Sequence, residues 1–292
     1  MDERLCILTV HAHPDDESSK GAGTIAKYHA EGIHTVLVCC TGGEAGDILN
    51  TAMDKPEVRE NLPAVRKREL DRAAAIIGYD EVVMLGYKDS GMPDTDANKD
   101  PASFAQADLD EAIGRLVAVI RRTRPQVIVT YPDDQTGYPH PDHLRVHDIS
   151  LPAFQAAGDP ATYPEAGPAW QPQKLYYSAW SWKRTLAMHE KMEELGIESP
   201  WKERMERMKD WPNQDDRTTT SIDIADYDDV RRNALLAHET QVDPNSGFWF
   251  SLPPEVARTV HPYDDYILAE SLVDTELPED DLFAGVRDLV RH

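Results

Sequence analysis

The chain has 292 residues, with 53 acidic and 30 basic side chains and a formal net charge of -23. This length allows one large α/β domain or a core with a smaller annex. No basic stripe offsets the negative charge, which argues against nucleic-acid binding. No apolar run approaches the roughly 18 residues of a membrane span, and no leader-like N-terminus is evident, so we expect a soluble, cytoplasmic protein without membrane partners.

Apolar, β-branched runs alternate with helical segments along the first half of the chain. In order, the pattern predicts strand 5–10, helix 19–31, strand 35–41, helix 57–77, strand 81–85, helix 104–122, strand 126–131 and a helix from about 142. This alternation predicts an α/β fold with a Rossmann-like, mainly parallel sheet flanked by helices. Functional loops are then expected at the carboxyl edge of the sheet.

A stretch rich in Pro, Gly and Ala at 156–172 marks a predicted boundary. We therefore divide the chain into a catalytic Rossmann-like core, 1–157, and a smaller C-terminal α/β annex, 158–292, which completes the core and the substrate cleft. Strand-like runs at 174–180 and 218–224 belong to the annex. Its aromatic residues are expected to be mostly core, with 248–250 the best candidate for a cleft lid.

Two features that could suggest other functions have structural explanations. Cys6, Cys39 and Cys40 lie in strand-like runs without a C-x-x-C spacing, which predicts reduced core residues. Residues 21–26 satisfy G-x-G-x-x-A, the dinucleotide-binding pattern, but they fall in a predicted helix and not in the turn after the first strand. Close helix packing explains those small residues better.

Two segments rich in His and Asp follow predicted strands. Residues 11–17 (HAHPDDE) come after the first strand, and residues 138–148 (YPHPDHLRVHD) come after strand 126–131. Both place donors for a hard or borderline cation where an open α/β sheet binds its ligand. A zinc hydrolase needs three protein ligands, an open position and a separate carboxylate. Together the two segments supply them, so we predict a metal site.

The segments A-H-P-D-D-E at 12–17 and H-P-D-H at 140–143 resemble the LmbE-like (PIG-L) family of zinc-dependent N-deacetylases and amidases. Residues 10–22, 41–44, 137–143 and 237–245 are most similar to its mycothiol S-conjugate amidase branch. The resemblance implies a hydrolase that cleaves the amide of a mycothiol S-conjugate, a small-molecule thiol conjugate of glucosaminyl-inositol. The products would be a mercapturic acid and glucosaminyl-inositol, in thiol-dependent detoxification.

Two other functions are weighed against the amidase. A deacetylase acting on N-acetylglucosaminyl-inositol in mycothiol biosynthesis would use the same chemistry, and Lys20 favours the amidase over it. A non-catalytic sugar-binding protein on the same fold would lack Asp15 or His140, and both are present. The sequence leaves the S-linked group and the oligomeric state undetermined.

Chemistry and the resemblance assign the same metal ligands, His13, Asp16 and His143, for one Zn²⁺ per chain, with Fe²⁺ as the other candidate. Asp15 is the predicted general base. His140 is predicted to stabilise the oxyanion, while Asp142 orients its imidazole and Tyr138 adds a second donor. Whether His140 or Asp15 returns a proton to the departing amine stays open.

Two further histidines leave a three-histidine site as the competing geometry. His147 lies four residues after His143, so both would share one helical face. His11 lies just before the first motif. We favour a structural or outer role for both residues.

Five residues are candidates for substrate binding through local matches to the family: Lys20, Arg66, Asp89, His238 and Gln241. Arg66 would hold the inositol ring, or else be an exposed base on an amphipathic helix. Asp89 would accept hydrogen bonds from sugar hydroxyls, or else belong to an ordinary turn. His238 and Gln241 would reach the rim of the site, or else bond a helix end. Residues 132–136 depart from the family pattern, and their Pro stiffens a loop that enters the His140 segment.

Overall fold

Seven strands form one sheet in the computed structural model, which describes residues 4–208 and 213–290. The strands are β1 Cys6–His11, β2 His34–Thr41, β3 Glu81–Tyr87, β4 Val127–Thr130, β5 Lys174–Ala179, β6 Thr220–Asp223 and β7 Tyr263–Ser271. Their order across the sheet is β3-β2-β1-β4-β5-β7-β6. Strands β1 to β5 pair in parallel, and β7 runs antiparallel to both β5 and β6. The predicted α/β fold with a mainly parallel sheet is confirmed.

The helices follow the strands through the described ranges. They are α1 Asp16–Ser19, α2 Ala22–Ala30, α3 Pro56–Glu60, α4 Leu62–Ile77, α5 Asp96–Lys99, α6 Leu109–Thr123, α7 Pro141–Ala157, α8 Trp182–Glu194, α9 Trp201–Met208, α10 Asp228–Ala237, α11 Gly247–Phe250, α12 Pro254–Val260 and α13 Arg287–Val290. Short 3-10 helices cover Thr51–Met53, Phe104–Gln106, Pro164–Ala166, Gln214–Arg217 and Ala225–Tyr227. Within these ranges, no helix combines the length and apolar character needed to cross a membrane.

Side chains of the central strands alternate between two cores, one on each face of the sheet. Leu8 and Val10 of β1 belong to a buried cluster with residues of α6 and α7. Ile7 points to the other face and belongs to a cluster with Ile25 of α2 and Ile77 of α4. Because helices cover both faces, the central parallel strands consist mainly of apolar residues, as their sequences indicate. Cys6, Cys39 and Cys40 are buried and free of disulfides.

The sheet order fixes where a ligand can approach. The chain builds outward from β1 to β2 and β3 on one side, and returns to place β4 and β5 on the other. In open α/β sheets, the loops diverge at such a reversal and leave a crevice beyond the carboxyl ends of the two strands. Here the crevice lies between β1 and β4, and these strands precede the two His- and Asp-rich segments.

Several predicted helices are interrupted for local reasons. The predicted helix 19–31 begins later, at Ala22, because Gly21 just before it has a φ of +91°, a left-handed conformation that glycine adopts at little cost. The short helix α1 precedes it and ends at Ser19. The predicted helix 104–122 begins later, at Leu109, because the Asp108 carboxylate caps it by accepting the Glu111 N–H. Gly23 lies inside α2, where a Cβ would come within 2.8 Å of Ile224. Its small size therefore serves helix packing, as expected from the sequence.

The second half of the chain extends the same sheet with β5, β6 and β7. A buried ion pair lies among these strands, between Lys174 of β5 and Glu279, and both side chains are fully buried. Glu279 also accepts hydrogen bonds from the Tyr176 hydroxyl at 2.5 Å and the Thr220 hydroxyl at 2.9 Å. Burial alone would raise the pKa of Glu279, but these donors, led by Lys174, lower it below its ordinary value of 4.5. The folded protein therefore holds Glu279 ionised.

We expect Glu279→Gln to lower the free energy of unfolding by about 3–5 kcal/mol at pH 7, because it leaves the Lys174 ammonium buried without a counter-charge. A carboxyl with a depressed folded pKa contributes stability above its unfolded pKa and loses it as the pH falls through the folded value. The difference between the two proteins should therefore shrink below about pH 4.5. Urea unfolding at several pH values measures this difference in the free energy of unfolding. The control is Glu276→Gln, which changes an exposed carboxylate. An equal decrease in the free energy of unfolding in Glu279→Gln and Glu276→Gln would contradict the expectation.

Candidate metal centre and active site

The loops after β1 and β4 bring His13, Asp16 and His143 together at the predicted crevice. The Asp16 Oδ2 atom lies 3.5 Å from His13 Nδ1 and 3.5 Å from His143 Nε2. All three residues are buried. Ligand atoms about 2.0–2.1 Å from a tetrahedral zinc ion are separated by about 3.4 Å. The two separations from Asp16 are therefore close to those expected between ligands of such an ion.

A second arrangement of donors lies at the same place. Ring nitrogens of His13, His140 and His143 lie within 4.8 Å of one another, and so do donor atoms of His13, Asp89 and Asp142. His13 belongs to each of these sets, because its Nδ1 atom faces Asp16 and its Nε2 atom faces Asp89 and Asp142. The structure thus contains a His/Asp cluster that could bind a metal ion, and Asp16 lies beside it, 3.5 Å from both His13 and His143. The choice of His13, Asp16 and His143 as the ligands stays a prediction.

The protonation of the two histidines bears on metal binding, because a ligating imidazole must be neutral. Burial lowers the pKa of His143 to about 4, so this ring is neutral at pH 7. Burial acts in the same direction on His13, but its hydrogen bonds to Asp142, Asp16 and Asp89 outweigh it and raise the pKa of His13 well above the ordinary value. A metal ion would therefore compete with a proton at His13.

Asp142 contacts a different histidine from the one we expected. Its Oδ2 atom lies 3.1 Å from His13 Nε2, while only its backbone N–H bonds His140, at Nδ1 and 3.2 Å. The prediction that the Asp142 carboxylate orients His140 is not what the structure shows. Asp142 is itself held by Ser90, whose backbone N–H donates to Oδ2 at 2.9 Å and whose hydroxyl donates to Oδ1. The carboxylate thus fixes the His13 ring with Nδ1 toward Asp16.

We expect Asp142→Asn to weaken metal binding by about 10- to 100-fold, which is typical when a ligating histidine loses its outer carboxylate. Asparagine keeps the size of the side chain but lacks the charge that orients and polarises the His13 ring. Competition with a calibrated chelator measures the affinity. Asp148→Asn, an exposed change on the same helix, is the matched control. An unchanged metal affinity in Asp142→Asn would show that Asp142 does not support His13 as a metal ligand.

Asp15 occupies a strained backbone position beside the metal candidates. Its φ is +113° and its ψ is -24°, outside the region that non-glycine residues prefer. The Glu17 carboxylate holds this conformation by accepting the Asp15 N–H at 2.9 Å. The Asp15 side chain is 29% exposed and faces the cleft. Burial raises the pKa of Asp15, although Arg66 at 3.0 Å acts in the opposite direction.

His140 lies on the other side of the cleft, at the start of α7. Since its Nδ1 accepts the Asp142 N–H, a neutral ring carries its proton on Nε2 and can donate from there. Burial lowers the pKa of His140, and the neighbouring His13 adds to this effect. Tyr138 is 55% exposed at the cleft wall, with its ring 5.9 Å from that of His140. Both side chains can therefore present a hydrogen-bond donor to a ligand.

Lys20, Arg66 and Asp89 line the cleft, but each already has a partner in the protein. Lys20 Nζ lies 2.5 Å from Asp16 Oδ1, so it holds the oxygen of Asp16 that does not face the histidines. Arg66 is buried and not exposed: it donates to the backbone carbonyls of Gly43 and Pro14 at 2.5 and 2.6 Å. Asp89 accepts the N–H groups of Ala45 and Gly91. Contacts of these three side chains with substrate stay predictions.

The two C-terminal candidates separate in the structure. Gln241 lines the cleft. His238 does not: it is fully buried behind α1, with Nε2 2.6 Å from Glu17 Oε1. The expectation of a rim position for His238 is therefore corrected, because the ring serves as the partner of a buried carboxylate. Glu17 lies inside the first sequence motif, although sequence reasoning assigned it no role in the site.

The other two histidines stand apart from the donor cluster. His147 Nδ1 lies 3.3 Å from the Tyr131 carbonyl oxygen. His11 is 2% exposed, and within the described part of the chain neither ring nitrogen has a hydrogen-bond partner. Burial lowers the pKa of His11 to about 4. Tyr131, which sequence reasoning overlooked, stacks on His143 with ring centres 4.5 Å apart.

A cleft of about 840 Å³ opens above these residues. Its walls come from both halves of the chain. They include the donor residues, the loop 132–138, the end of β5 and aromatic residues near α11. The unusual Pro132–Thr136 loop therefore forms part of the cleft wall.

A family model described as PIG-L, GlcNAc-PI de-N-acetylase, matches residues 8–154. The mycothiol S-conjugate amidase of Streptomyces coelicolor is 46% identical over 294 residues, covering 99% of each chain. The 1D-myo-inositol 2-acetamido-2-deoxy-alpha-D-glucopyranoside deacetylase 1 of Catenulispora acidiphila is 38% identical, covering 96% of this chain and 89% of its own.

Solved structures share the fold at low identity. The N,N'-diacetylchitobiose deacetylase from Pyrococcus horikoshii has a TM-score of 0.61 at 16% identity, over 91% of this chain and 84% of its own. The 4-carboxy-2-hydroxymuconate hydratase GalB from Pseudomonas putida also has a TM-score of 0.61, at 18% identity, over 94% and 99%. Because the second protein is a hydratase, the fold alone does not select a reaction.

Together, the curated relatives and the site define the class: hydrolases of amide bonds, built on an α/β sheet with a His/Asp cluster that could bind a metal ion. The chain belongs to the PIG-L family, as its two sequence motifs indicate.

Proposed function

We propose that this enzyme is a metal-dependent amidase that cleaves mycothiol S-conjugates into a mercapturic acid and glucosaminyl-inositol. The observation that supports this substrate is the 46% identity, over 99% of both chains, to a relative of that name. The 840 Å³ cleft is consistent with it, because a volume near the upper end of the usual range of about 300–1,000 Å³ accommodates more than an acetyl group.

His13, Asp16 and His143 would hold the metal ion. The chemistry expected from an ion at these residues is Lewis acidity, which polarises a carbonyl group and makes water a stronger acid. Lys20 keeps Asp16 ionised and oriented through its ion pair. Asp142 and Ser90 keep the Nδ1 atom of His13 directed toward Asp16.

Asp15 takes the proton of the attacking water. Its carboxylate faces the cleft, and burial brings its pKa closer to the working pH, where a general base is most effective. Arg66 fixes one carboxylate oxygen, Oδ2, at 3.0 Å and leaves the other for water. Glu17 fixes the backbone from which the side chain projects.

His140 donates its Nε2 proton in a hydrogen bond to the carbonyl oxygen as negative charge develops there. The capping bond at Nδ1 selects this tautomer before substrate arrives, so no rearrangement is needed during the reaction. Tyr138 supplies a second donor from the cleft wall. The protonated Asp15 then returns a proton to the departing amine.

The second candidate is the biosynthetic deacetylase, favoured by the relatives at 36–39% identity that carry that name. The two functions share the chemistry and differ in the acyl group. Amine release from a bimane-type mycothiol conjugate and from N-acetylglucosaminyl-inositol, at equal concentrations and with a chelated control, separates them. We expect faster, chelator-sensitive turnover of the conjugate. Faster turnover of the acetylated sugar would assign the deacetylase reaction instead.

A further inference from the structure

The cleft has an aromatic end in addition to the end that holds the His/Asp cluster. Trp180, at the end of β5, and Phe248 and Trp249 of α11 line it. The rings of Trp180 and Phe248 are nearly parallel, with centres 6.3 Å apart, and Phe248 meets Trp249 edge to face at 4.7 Å. These three aromatic side chains thus line the same cleft as the catalytic candidates.

This aromatic end is built on a rigid support. Trp180 Nε1 donates to the Thr185 hydroxyl at 3.0 Å, which fixes the plane of the indole. Phe248 packs on the buried Trp201 at 4.4 Å, within a core cluster that also contains Met192 and Leu252. The wall therefore exists before any ligand binds, so little side-chain ordering has to accompany binding.

The charged groups around this end are already engaged. Asp264 accepts hydrogen bonds from Thr24 and Arg231, and Asp265 from Ser221 and His261. Arg184 lies over the Trp180 ring at 5.4 Å, in the field of both carboxylates. The two carboxylates thus already accept hydrogen bonds from protein donors, and an apolar ring bound at this end would find aromatic faces to stack on.

We propose that Trp180, Phe248 and Trp249 bind the S-linked group of the conjugate and select aromatic substituents over small polar ones. The inference rests on the proposed amidase function. In a mycothiol S-conjugate the amine side of the amide is a sugar, and the thioether on the acyl side carries the variable and often apolar group. With the amide at the His/Asp cluster, that thioether side extends along the cleft to the aromatic end.

The test compares two conjugates that share the mycothiol part, S-benzyl and S-carboxamidomethyl. We expect Trp249→Ala to lower kcat/KM by about tenfold for the S-benzyl conjugate and by less than about twofold for the other. Trp249→Leu, which keeps an apolar side chain, should show a smaller loss and serves if the alanine variant folds poorly. Phe250→Ala is the matched control, because Phe250 lies on the same helix but contacts Arg232 outside the cleft.

Equal losses on both conjugates, or an unchanged S-benzyl rate in both Trp249 variants, would overturn the selective subsite while leaving the amidase function intact. If the unchanged enzyme hydrolyses neither conjugate, the proposed amidase function is wrong. The assignment of the S-linked group to the aromatic end of the cleft is then wrong as well.

Discussion

Purified Asp16→Ala protein is expected to lose its metal ion, with the content falling from about one per chain to nearly none after dialysis. The change removes the only carboxylate oxygen placed 3.5 Å from donor nitrogens of both His13 and His143 among the described residues. Two imidazoles alone do not complete the three protein ligands of a catalytic zinc site. Elemental analysis of the dialysed protein measures the content, and amide hydrolysis should disappear with it.

Two companion variants make this result specific. Lys20→Ala removes the ion pair between Lys20 and Asp16 but leaves the Asp16 carboxylate in place, so this variant should retain the metal ion. His140→Ala should also retain it while losing activity. If His140→Ala instead releases the metal and Asp16→Ala keeps it, the ion is held by the three histidines His13, His140 and His143.

Asp15→Asn is expected to keep about one metal ion per chain and to lower kcat by about 10²- to 10⁴-fold, which is the usual contribution of a positioned general base. Asparagine has nearly the same shape and can still accept a hydrogen bond from Arg66, so the strained backbone at this position should persist. The amide nitrogen cannot take a proton from water. Steady-state kinetics and metal content are measured on the same preparation.

Asp134→Asn is the control for this experiment, since Asp134 is another carboxylate on the cleft wall. It should leave kcat within about twofold of the unchanged enzyme. Loss of metal from Asp15→Asn, or kcat near that of the unchanged enzyme, would show that Asp15 is not the base.

Much of the fold follows from the sequence because the signals are local. Apolar runs such as that around Leu8 and Val10 are buried on both sides by helices, so each predicts a central parallel strand by itself. The meeting of the two His- and Asp-rich segments at one edge was expected from sequence, because both follow parallel strands; the structure adds that β1 and β4 are neighbours, which brings His13 close to His143. The sequence pattern therefore predicts at which edge of the sheet the functional loops lie, and the strand order decides which of them are adjacent.

Side-chain partners were harder to predict because they depend on distances of an ångström or two. From sequence, Asp142 could have turned to either of two histidines at the sheet edge; in the structure it faces His13, and Ser90 from a distant loop holds it there. Arg66 lies on a helix whose pattern allows an exposed base, yet its guanidinium is buried against backbone carbonyls from two loops. His238 gave no sequence signal for its pairing with Glu17, since 221 residues separate them.

That pairing has a consequence for how the reaction is encoded along the chain. The family model ends at residue 154 and contains every proposed metal ligand and the proposed base. Yet the Glu17 carboxylate that bonds the Asp15 amide is itself held by His238, which lies 84 residues beyond the end of that model. The two signature motifs alone therefore do not contain everything that positions the catalytic residues. Grafting them onto another α/β scaffold would transfer the ligands without the buried support that sets the angle of the base.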